Sequence, residues 1–226
     1  KESEQIYIWT ETGFTRIKRV IRHCSPVPRK IIRVLTHTGI VDVTEDHSLL
    51  CSEGNKIKPC DVSVGDELLH ASMDAIVDTT ESDSIITEEE AWLMGYNYEN
   101  IVPTSILNSS LCIVESYFRG FIEKYGFRND RKDKLFDCKG KQGTMGLYTI
   151  ATRLGYCVSI NTRMDKPDIY RCTCTRNTQR KKSNAIKKKY VLYDNYDGYV
   201  YDISTENHHF HVGPGRLVVS NTDSVF

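Results

Sequence analysis

Two short stretches of the chain carry residue types that perform acid–base and nucleophilic chemistry. Thr44 and His47 form a Thr-x-x-His pattern at the end of a predicted strand, and Asn221 directly precedes Thr222. A threonine hydroxyl becomes a nucleophile when it loses its proton during the attack. A histidine placed to exchange that proton accelerates such a step by about 10²–10⁴-fold. Nucleophilic attack on a carbonyl group requires these residue types, and it also requires that the fold holds the reacting groups together.

A third stretch, VYDISTENHHFHVG, combines an acid with a cluster of histidines. Asp202 stands in its strand-like first half, and His208, His209 and His211 follow within nine residues. Successive side chains of a strand point to opposite faces. His209 and His211 would therefore share one face and His208 the other, so that only one of these sets can line a site.

The elements that must position these residues come in three regions. From Ile6 to about Leu69 the chain has short strands separated by turn residues, which predicts a compact all-β body. A polar, acidic run then leads to a helix start at Thr87, where three glutamates complement the helix dipole. Up to about Lys189 the pattern is that of an α/β insertion, and alternating strand texture then returns. Helices are expected at 91–96, 112–124 and 145–154, and strands at 157–160 and 169–173.

Composition limits the class of protein. The chain has 226 residues, of which 39% are hydrophobic, so it can form one large or two modest globular domains. Its formal net charge is zero, which predicts no global attraction to nucleic acid. No stretch has the apolar length of a membrane span, and the first residues lack a secretory signal pattern.

The eight cysteines are too sparse for a disulfide scaffold in a chain of this length. We interpret them as reduced thiols of an intracellular protein. Cys172 and Cys174 form a lone CxC pair without a second pair at zinc-finger spacing. We therefore expect them to be two small residues of a strand rather than metal ligands.

Taken in order, the stretches resemble the self-splicing Hint domain of an intein. Thr44 and His47, the VGDEL segment, Asp202 with its histidines, and Asn221 before a hydroxyl residue occur in the order of that family. The resemblance is close to inteins inserted in B-family DNA polymerases, whose active-site motif is YGDTDS. The Thr222-Asp223-Ser224 tripeptide matches the second half of that motif. On this resemblance, residues 222–226 are the start of the downstream host segment, the C-extein.

The resemblance implies roles for individual residues. His47 would protonate or polarise the upstream scissile amide, and Thr44 would hydrogen-bond the same site. Asp202 would steer the transesterification. The residue expected to assist cyclisation is His209, with His208 and His211 as alternates, whereas Asn221 would cyclise and Thr222 would be the second nucleophile. Acyl shifts of this kind need neither a metal nor a cofactor.

Two departures from the family pattern carry expectations. Ser220 stands where a histidine commonly precedes the terminal asparagine, and a hydroxyl is a poor proton donor at neutral pH. In addition, no Cys-led or Ser-led block precedes Ile6. We therefore expect a split intein whose N-terminal fragment, carrying a Cys or Ser nucleophile, is a separate polypeptide that adds to an open sheet edge. Its other partners would be the flanking polymerase exteins.

The insertion resembles a degenerate LAGLIDADG homing endonuclease. The segments EEEAWLMGYNYEN and SYFRGFIEKYG resemble its two characteristic helices, but Asn100 and Tyr125 occupy the positions of the metal-binding acids. DNA cleavage is therefore not expected, and weak DNA binding is the alternative function. A basic segment could contact phosphates or attract an acidic N-terminal partner. Its cations are Arg176, Arg180, Lys181, Lys182, Lys187, Lys188 and Lys189.

The predicted fold is mainly β, a Hint-type β horseshoe interrupted by a small α/β remnant of a LAGLIDADG endonuclease. The first part of the Hint domain is expected at residues 1–80 and its completion at 190–221. The insertion would occupy 81–189, and the C-extein would begin at 222. The expected function is protein splicing, in trans, that joins two parts of a DNA polymerase.

Overall fold

A computed structural model describes residues 5–24, 27–72, 85–127, 133–176 and 182–221. The chain divides into two compact units. Unit 1 comprises Lys1–Ser72 with Lys182–Phe226, and unit 2 comprises Met73–Lys181. The molecule is mainly β, as predicted, and the described residues contain no helix that is long and apolar enough to cross a membrane.

Unit 1 consists of strands in three small sheets, with strand orders β1-β2-β12, β11-β3-β4 and β13-β14-β5-β6. All strand pairs in these sheets are antiparallel. β12 mixes exposed or half-buried positions with buried ones, whereas β3, β5 and β14 are mostly apolar runs that are buried on both faces. The strands are β1 (Tyr7–Thr10), β2 (Gly13–Cys24), β3 (Arg29–Thr36), β4 (Ile40–Thr44), β5 (Leu49–Leu50), β6 (Lys56–Ile57), β11 (Ile186–Tyr196), β12 (Tyr199–Thr205), β13 (His209–His211) and β14 (Val218–Ser220).

The core of unit 1 joins the first and last parts of the chain. Val34 and Val41 from the N-terminal strands pack in one cluster with Phe210, Leu217 and Val219 from the C-terminal strands. This burial ties β13 and β14, which carry the C-terminal candidate residues, to the strands that lead to Thr44 and His47.

The polypeptide leaves and re-enters unit 1 through a short paired segment. Gly65 N–H donates to the Ile186 carbonyl, and Ile186 N–H donates to the Asp66 carbonyl, both within 2.9 Å. Leu68 N–H donates in turn to the Asn184 carbonyl at 3.1 Å. We call these two stretches, residues 65–68 and 184–186, the base of the insertion. β11 begins at Ile186 and pairs along β3, so residues 186–189, which the sequence pattern places in the insertion, lie in unit 1.

A buried histidine lies beside this base. Thr36 Oγ1 lies 3.2 Å from His70 Nε2, and Thr38 Oγ1 lies 3.1 Å from His70 Nδ1. The Thr38 hydroxyl also donates to the Ser183 carbonyl at 3.0 Å. Burial, together with the nearby Arg216 and His211, lowers the pKa of His70 to about 3.

Unit 2 has four helices and a four-stranded antiparallel sheet of order β7-β8-β10-β9 among its described residues. Thr87 caps α1 through a capping box with Glu90, as the sequence predicts. Cys172 and Cys174 lie in β10 with both side chains buried. The elements are α1 (Glu88–Tyr96), α2 (Thr104–Leu107), α3 (Leu111–Tyr125), β7 (Gly126–Phe127), β8 (Lys134–Lys139), α4 (Lys141–Arg153), β9 (Cys157–Thr162) and β10 (Ile169–Thr175).

Helices α1 and α3 pack closely because each presents a glycine to the other's backbone. A Cβ atom at Gly95 would lie 2.0 Å from the Tyr117 carbonyl oxygen. A Cβ atom at Gly120 would lie 2.1 Å from the Trp92 carbonyl oxygen. No side chain fits at either distance, so the approach of the two helices depends on both glycines.

Candidate functional site

The pairing of β5 with β14 brings the two ends of the predicted site together. Val219 pairs antiparallel with Leu49. His47 lies two residues before Leu49 and Asn221 two residues after Val219, so in an antiparallel pair both lie on the same side of this residue pair. Two segments that are far apart in sequence therefore approach the same end of β5 and β14, the central strands of the β13-β14-β5-β6 sheet.

His47 is half-buried before β5 and has an unused ring nitrogen. Its N–H donates to the Thr44 carbonyl at 3.1 Å, which closes the turn between β4 and β5. Nε2 is buried and has no hydrogen-bond partner in the described part of the chain. Burial lowers the pKa of His47, and the negative charges of Asp202 and Asp46 offset only part of that effect. His47 is therefore a neutral imidazole at pH 7, with a free atom that can accept or donate a proton.

Asp202 acts on His47 electrostatically from β12. It pairs with Ile21 of β2, is 6% exposed, and accepts a hydrogen bond from Ile203 N–H at 2.8 Å. The predicted acid and the predicted histidine thus belong to one site, although 155 positions separate them in the sequence.

Thr44 has a local role in this structure. Burial would raise the pKa of Asp46, but hydrogen bonds from the Thr44 hydroxyl and the backbone, together with the Arg29 cation, hold that pKa below its ordinary value. Arg29 Nη1 lies 3.2 Å from Asp46 Oδ2. The Thr44 hydroxyl therefore fixes the turn that carries His47.

Asn221 is held by backbone and side-chain contacts on its N-terminal side. Its N–H donates to the His208 carbonyl at 2.9 Å, and its side chain is buried with Oδ1 unpartnered within the described residues. The buried Ser220 hydroxyl donates to the Asn221 carbonyl oxygen at 3.1 Å. That carbonyl is the one that an asparagine side chain attacks when it cyclises.

The three histidines near the C-terminus have different surroundings. His209 and His211 share a face of β13, where they pair with Ser220 and Val218. His211 Nε2 donates to the Gly215 carbonyl at 2.6 Å, and burial lowers the pKa of His211 although that hydrogen bond acts in the opposite direction. His208 is exposed and has a positive φ of 64°.

Glu11 is a member of the site that sequence reasoning missed. Its Oε1 lies 2.7 Å from His209 Nδ1, and its Oε2 is buried with no partner among the described residues. Glu11 follows β1 in a turn and is 198 positions from His209. No motif or periodicity in the sequence marks it, because the contact depends on the pairing of distant strands.

The remaining predicted residues are Thr222 and the cations of the basic segment. Thr222, Arg180 and Lys181 lie outside the described residues. Other cations of the basic segment have contacts elsewhere in the chain. Arg176 stacks on Tyr156 at 4.9 Å, and Lys182 pairs with Glu67 at 3.0 Å.

Lys189 also has a local contact, because its ammonium group donates to the carbonyls of Cys60 and Val62. Lys187 and Lys188 lie on β11 beside it. The basic segment therefore contributes to the packing of its surroundings, and its predicted role in binding DNA or a partner stays a prediction.

Comparisons with known proteins find similarity both in sequence and in structure. No protein-family model matches the chain. The chain is similar in sequence to a DNA polymerase of Acanthamoeba polyphaga mimivirus, with 34% identity over 301 aligned residues that include 97% of this chain. The chain spans 17% of the length of that polymerase. In structure it is similar to a crystal structure of the VidaL intein (selenomethionine variant), with 9% identity and a TM-score of 0.39, over 97% of this chain and 72% of the other.

Proposed function

We propose that the chain is a protein-splicing element within a DNA polymerase. The observation that carries the proposal is the pairing of Val219 in β14 with Leu49 in β5. Asn221 and His47 each lie two residues from that pair, and each has a buried polar atom that lacks a partner in the described chain. Leaving a polar atom buried and unpaired costs about 1–3 kcal/mol. Two such atoms beside one strand pair support a site in which reacting groups contact them.

At the upstream junction, His47 would act on the scissile peptide bond. Its neutral ring can take up the proton of the attacking nucleophile at Nε2 and then pass a proton to the departing amide nitrogen, as the bond from the carbonyl carbon to that nitrogen breaks. Asp202 would stabilise the imidazolium form that arises when the ring takes up a proton. Thr44 would act through Asp46 and the turn geometry, rather than by touching the amide itself.

At the downstream junction, Asn221 would cyclise after Thr222 has accepted the acyl group. The Asn221 side-chain nitrogen forms a bond to its own carbonyl carbon, and the bond from that carbon to the nitrogen of Thr222 breaks. The side-chain nitrogen of Asn221 loses a proton and the departing amine gains one. The Ser220 hydroxyl is placed to stabilise the negative charge on the carbonyl oxygen during this step.

The proposed host is a DNA polymerase, and the first nucleophile would come from a segment N-terminal to the residues described. The similarity to the mimivirus polymerase supports the host assignment. Strand β1 lies at the edge of its three-stranded sheet, so an extended segment could pair with it. We propose that this segment acts as a separate polypeptide, which makes the reaction splicing in trans.

Unit 2 is proposed to be a degenerate LAGLIDADG endonuclease that no longer cleaves DNA. The close packing of α1 on α3 through Gly95 and Gly120 supports the assignment of those helices. Asn100 and Tyr125 supply no carboxylate for a metal ion, and the Tyr125 hydroxyl donates to the Tyr98 carbonyl at 3.3 Å.

The direct test is ligation. The chain is mixed with a synthetic peptide that contains the residues preceding the aligned segment in the mimivirus polymerase, and products are identified by mass spectrometry. We expect a product in which the upstream flank of the peptide is joined to residues 222–226. Asn221→Ala should stop the reaction at a branched ester. Absence of any ligated or branched product, or normal ligation by Asn221→Ala, would contradict the proposal.

A further inference from the structure

We propose that Glu11 is a positioning residue for the cyclisation of Asn221. Its carboxylate holds the His209 ring on β13, and His209 pairs with Ser220 on β14. Glu11 then acts on the cyclisation through His209, while the Ser220 hydroxyl donates separately to the Asn221 carbonyl. This inference rests on the proposed splicing function and deepens it, because it adds to the downstream step a residue, Glu11, that no family motif marks.

The first contact is a strong, partly buried hydrogen bond. His209 Nδ1 lies 2.7 Å from Glu11 Oε1, and the two side chains are 24% and 21% exposed. A carboxylate only accepts hydrogen bonds, so Nδ1 carries the hydrogen. The other ring nitrogen, Nε2, is then the atom that can exchange a proton with a reacting group.

The second contact is set by strand pairing. His209 pairs directly with Ser220 in β13 and β14. Side chains paired in this way have Cβ atoms about 4.5–5.5 Å apart on one face of the sheet. The backbone of the same segment is fixed as well, because His209 N–H donates to Asn207 Oδ1 at 3.1 Å and the Thr205 hydroxyl donates to the His209 carbonyl at 2.8 Å.

The third contact reaches the reacting carbonyl. The Ser220 hydroxyl donates to the Asn221 carbonyl oxygen at 3.1 Å, where negative charge develops as the side-chain nitrogen attacks. A hydroxyl can stabilise that charge, but it is too weak an acid to protonate the departing amine. We assign the transfer of the proton that the amine gains to an imidazole, and the His209 ring is the one on the Ser220 face that a carboxylate holds.

Glu11 also stabilises the charged form of the ring. An imidazole that takes a proton from the Asn221 side-chain nitrogen becomes positively charged before it passes the proton on. A carboxylate hydrogen-bonded to the far nitrogen fixes the tautomer and stabilises that charge. The second oxygen, Glu11 Oε2, is buried without a partner in the described residues, so the carboxylate is not diverted to another cation there.

A purely structural role for Glu11 makes a different prediction. If Glu11 only fastened the turn after β1 to β13, its removal would affect folding, the upstream step and the downstream step alike. A positioning role predicts a selective loss of the downstream step. The experiment therefore has to measure the two steps separately.

The test uses the full chain with a reporter protein fused after Phe226 and the polymerase-derived peptide described above. Release of the reporter measures cleavage after Asn221, and thiol-induced cleavage of the peptide measures the upstream ester. For Glu11→Gln we expect reporter release to be slower by about 10- to 100-fold, with the upstream rate unchanged. Glu11→Asp should recover part of the loss. Glu67→Gln is the matched control, because the Glu67 carboxylate also contacts a basic side chain, that of Lys182 at 3.0 Å.

Each outcome has a distinct meaning. Equal reporter release by wild type and Glu11→Gln overturns the role of Glu11 but leaves the proposed splicing function intact. No release by wild type overturns the splicing function and this inference together. An equal slowing of both steps in Glu11→Gln and Glu11→Asp assigns Glu11 a structural role only, and so overturns the inference.

A spectroscopic measurement tests the geometry without any reaction. Long-range ¹H–¹⁵N correlation spectra of the wild-type chain should show the neutral His209 ring with its hydrogen on Nδ1. In Glu11→Gln the amide can donate as well as accept, so the ring should lose this preference. A wild-type ring with its hydrogen on Nε2 would overturn the inference even if Glu11→Gln failed to fold.

Discussion

At the scale of single residues, the site contains three polar atoms that are buried without a partner in the described chain. His47 Nε2, Asn221 Oδ1 and Glu11 Oε2 belong to residues that the strand pairing and the His209 contact connect. Because each unpaired atom costs about 1–3 kcal/mol, this part of unit 1 is less stable than a fully satisfied core would be. Residues that bind and react with a peptide bond need such free atoms, and the rest of unit 1 must compensate for them.

Replacement of His47 should slow the upstream step more than the downstream one. For His47→Ala we expect thiol-induced cleavage of the supplied peptide to fall by about 10²–10⁴-fold, because the group that protonates the amide is removed. The exposed His23 on β2 gives the matched variant, His23→Ala, which should react at the wild-type rate. A normal upstream rate in His47→Ala would assign the proton donor elsewhere.

His70 should make the stability of unit 1 depend on pH. Its pKa is about 3 in the folded chain and about 6.5 in the unfolded chain, so between these values the unfolded state binds the extra proton. The stabilisation is complete above pH 6.5 and is lost as the pH falls from 6.5 toward 3. The charged groups facing His70 are Arg216 and His211, and both disfavour a second positive charge.

The measurement is the urea midpoint of the wild type and of His70→Gln between about pH 7.5 and pH 4.5, a range that spans most of the interval in which this linkage acts. Glutamine can still bond to the hydroxyls of Thr36 and Thr38, but it takes up no proton. We expect the midpoint of His70→Gln to fall less with decreasing pH than that of the wild type. Some decrease should persist, because His47 and His211 also have lowered pKa values and contribute with the same sign. Parallel curves would contradict the assignment.

At the scale of elements, sequence patterns correctly predicted the helices and strands whose formation depends on neighbouring residues in the sequence. The capping box at Thr87 and the following glutamates correctly placed the start of α1, and alternation correctly identified β9 and β10. The helix predicted from residue 145 begins four residues earlier, at Lys141. No capping side chain marks that start, because the residue before the helix is Gly140. Its φ of 77° sets the turn, but a glycine at this position does not by itself indicate that a helix follows.

The distances between the site residues could not be predicted from local sequence patterns, because they depend on which distant strands pair. Thr44, His47, Asp202 and Asn221 were candidates because a family order linked them. The contact of Glu11 with His209 could not be predicted, since neither residue's neighbours in the sequence indicate the other. The register of β5 with β14, which brings His47 and Asn221 to the same end of these strands, rests on one residue pair and has no local signature.

The crossing of α1 and α3 should not tolerate a methyl group. Alanine is favoured over glycine in a helix by about 1 kcal/mol, but Gly95→Ala would place Cβ 2.0 Å from a backbone carbonyl that cannot move independently. Overpacking of this kind costs about 1–3 kcal/mol, so the clash should exceed the gain. We expect faster hydrogen exchange of the α1 and α3 amides. Leu93→Ala, at an exposed position of α1, is the control that should leave exchange unchanged.

At the scale of the whole molecule, the chain is two compact units, one inserted in the other. Unit 1 holds together without the insertion through the core that joins its first and last segments and through the hydrogen bonds of the base. All the described members of the candidate site lie in unit 1.

Removal of unit 2 should therefore leave the chemistry in place. We expect a variant in which a short Gly/Ser linker replaces residues 73–181 to fold and to react with the supplied peptide at a rate within about 10-fold of the full chain. Circular dichroism should show the loss of helical signal with retention of strand signal. Failure to react, in a variant that folds, would mean that unit 2 contributes to the reaction.

The hydrogen-bonded base of the insertion has a consequence for how this chain can be rebuilt. The two backbone stretches are hydrogen-bonded to each other, so the spacing between the points where an inserted domain begins and ends is set within unit 1. A guest domain with closely spaced termini, such as a fluorescent protein or a ligand-binding receptor domain, could therefore replace unit 2. If ligand binding changed the distance between the guest's termini, it would strain these hydrogen bonds, and the ligand would control the rate of the reaction in unit 1.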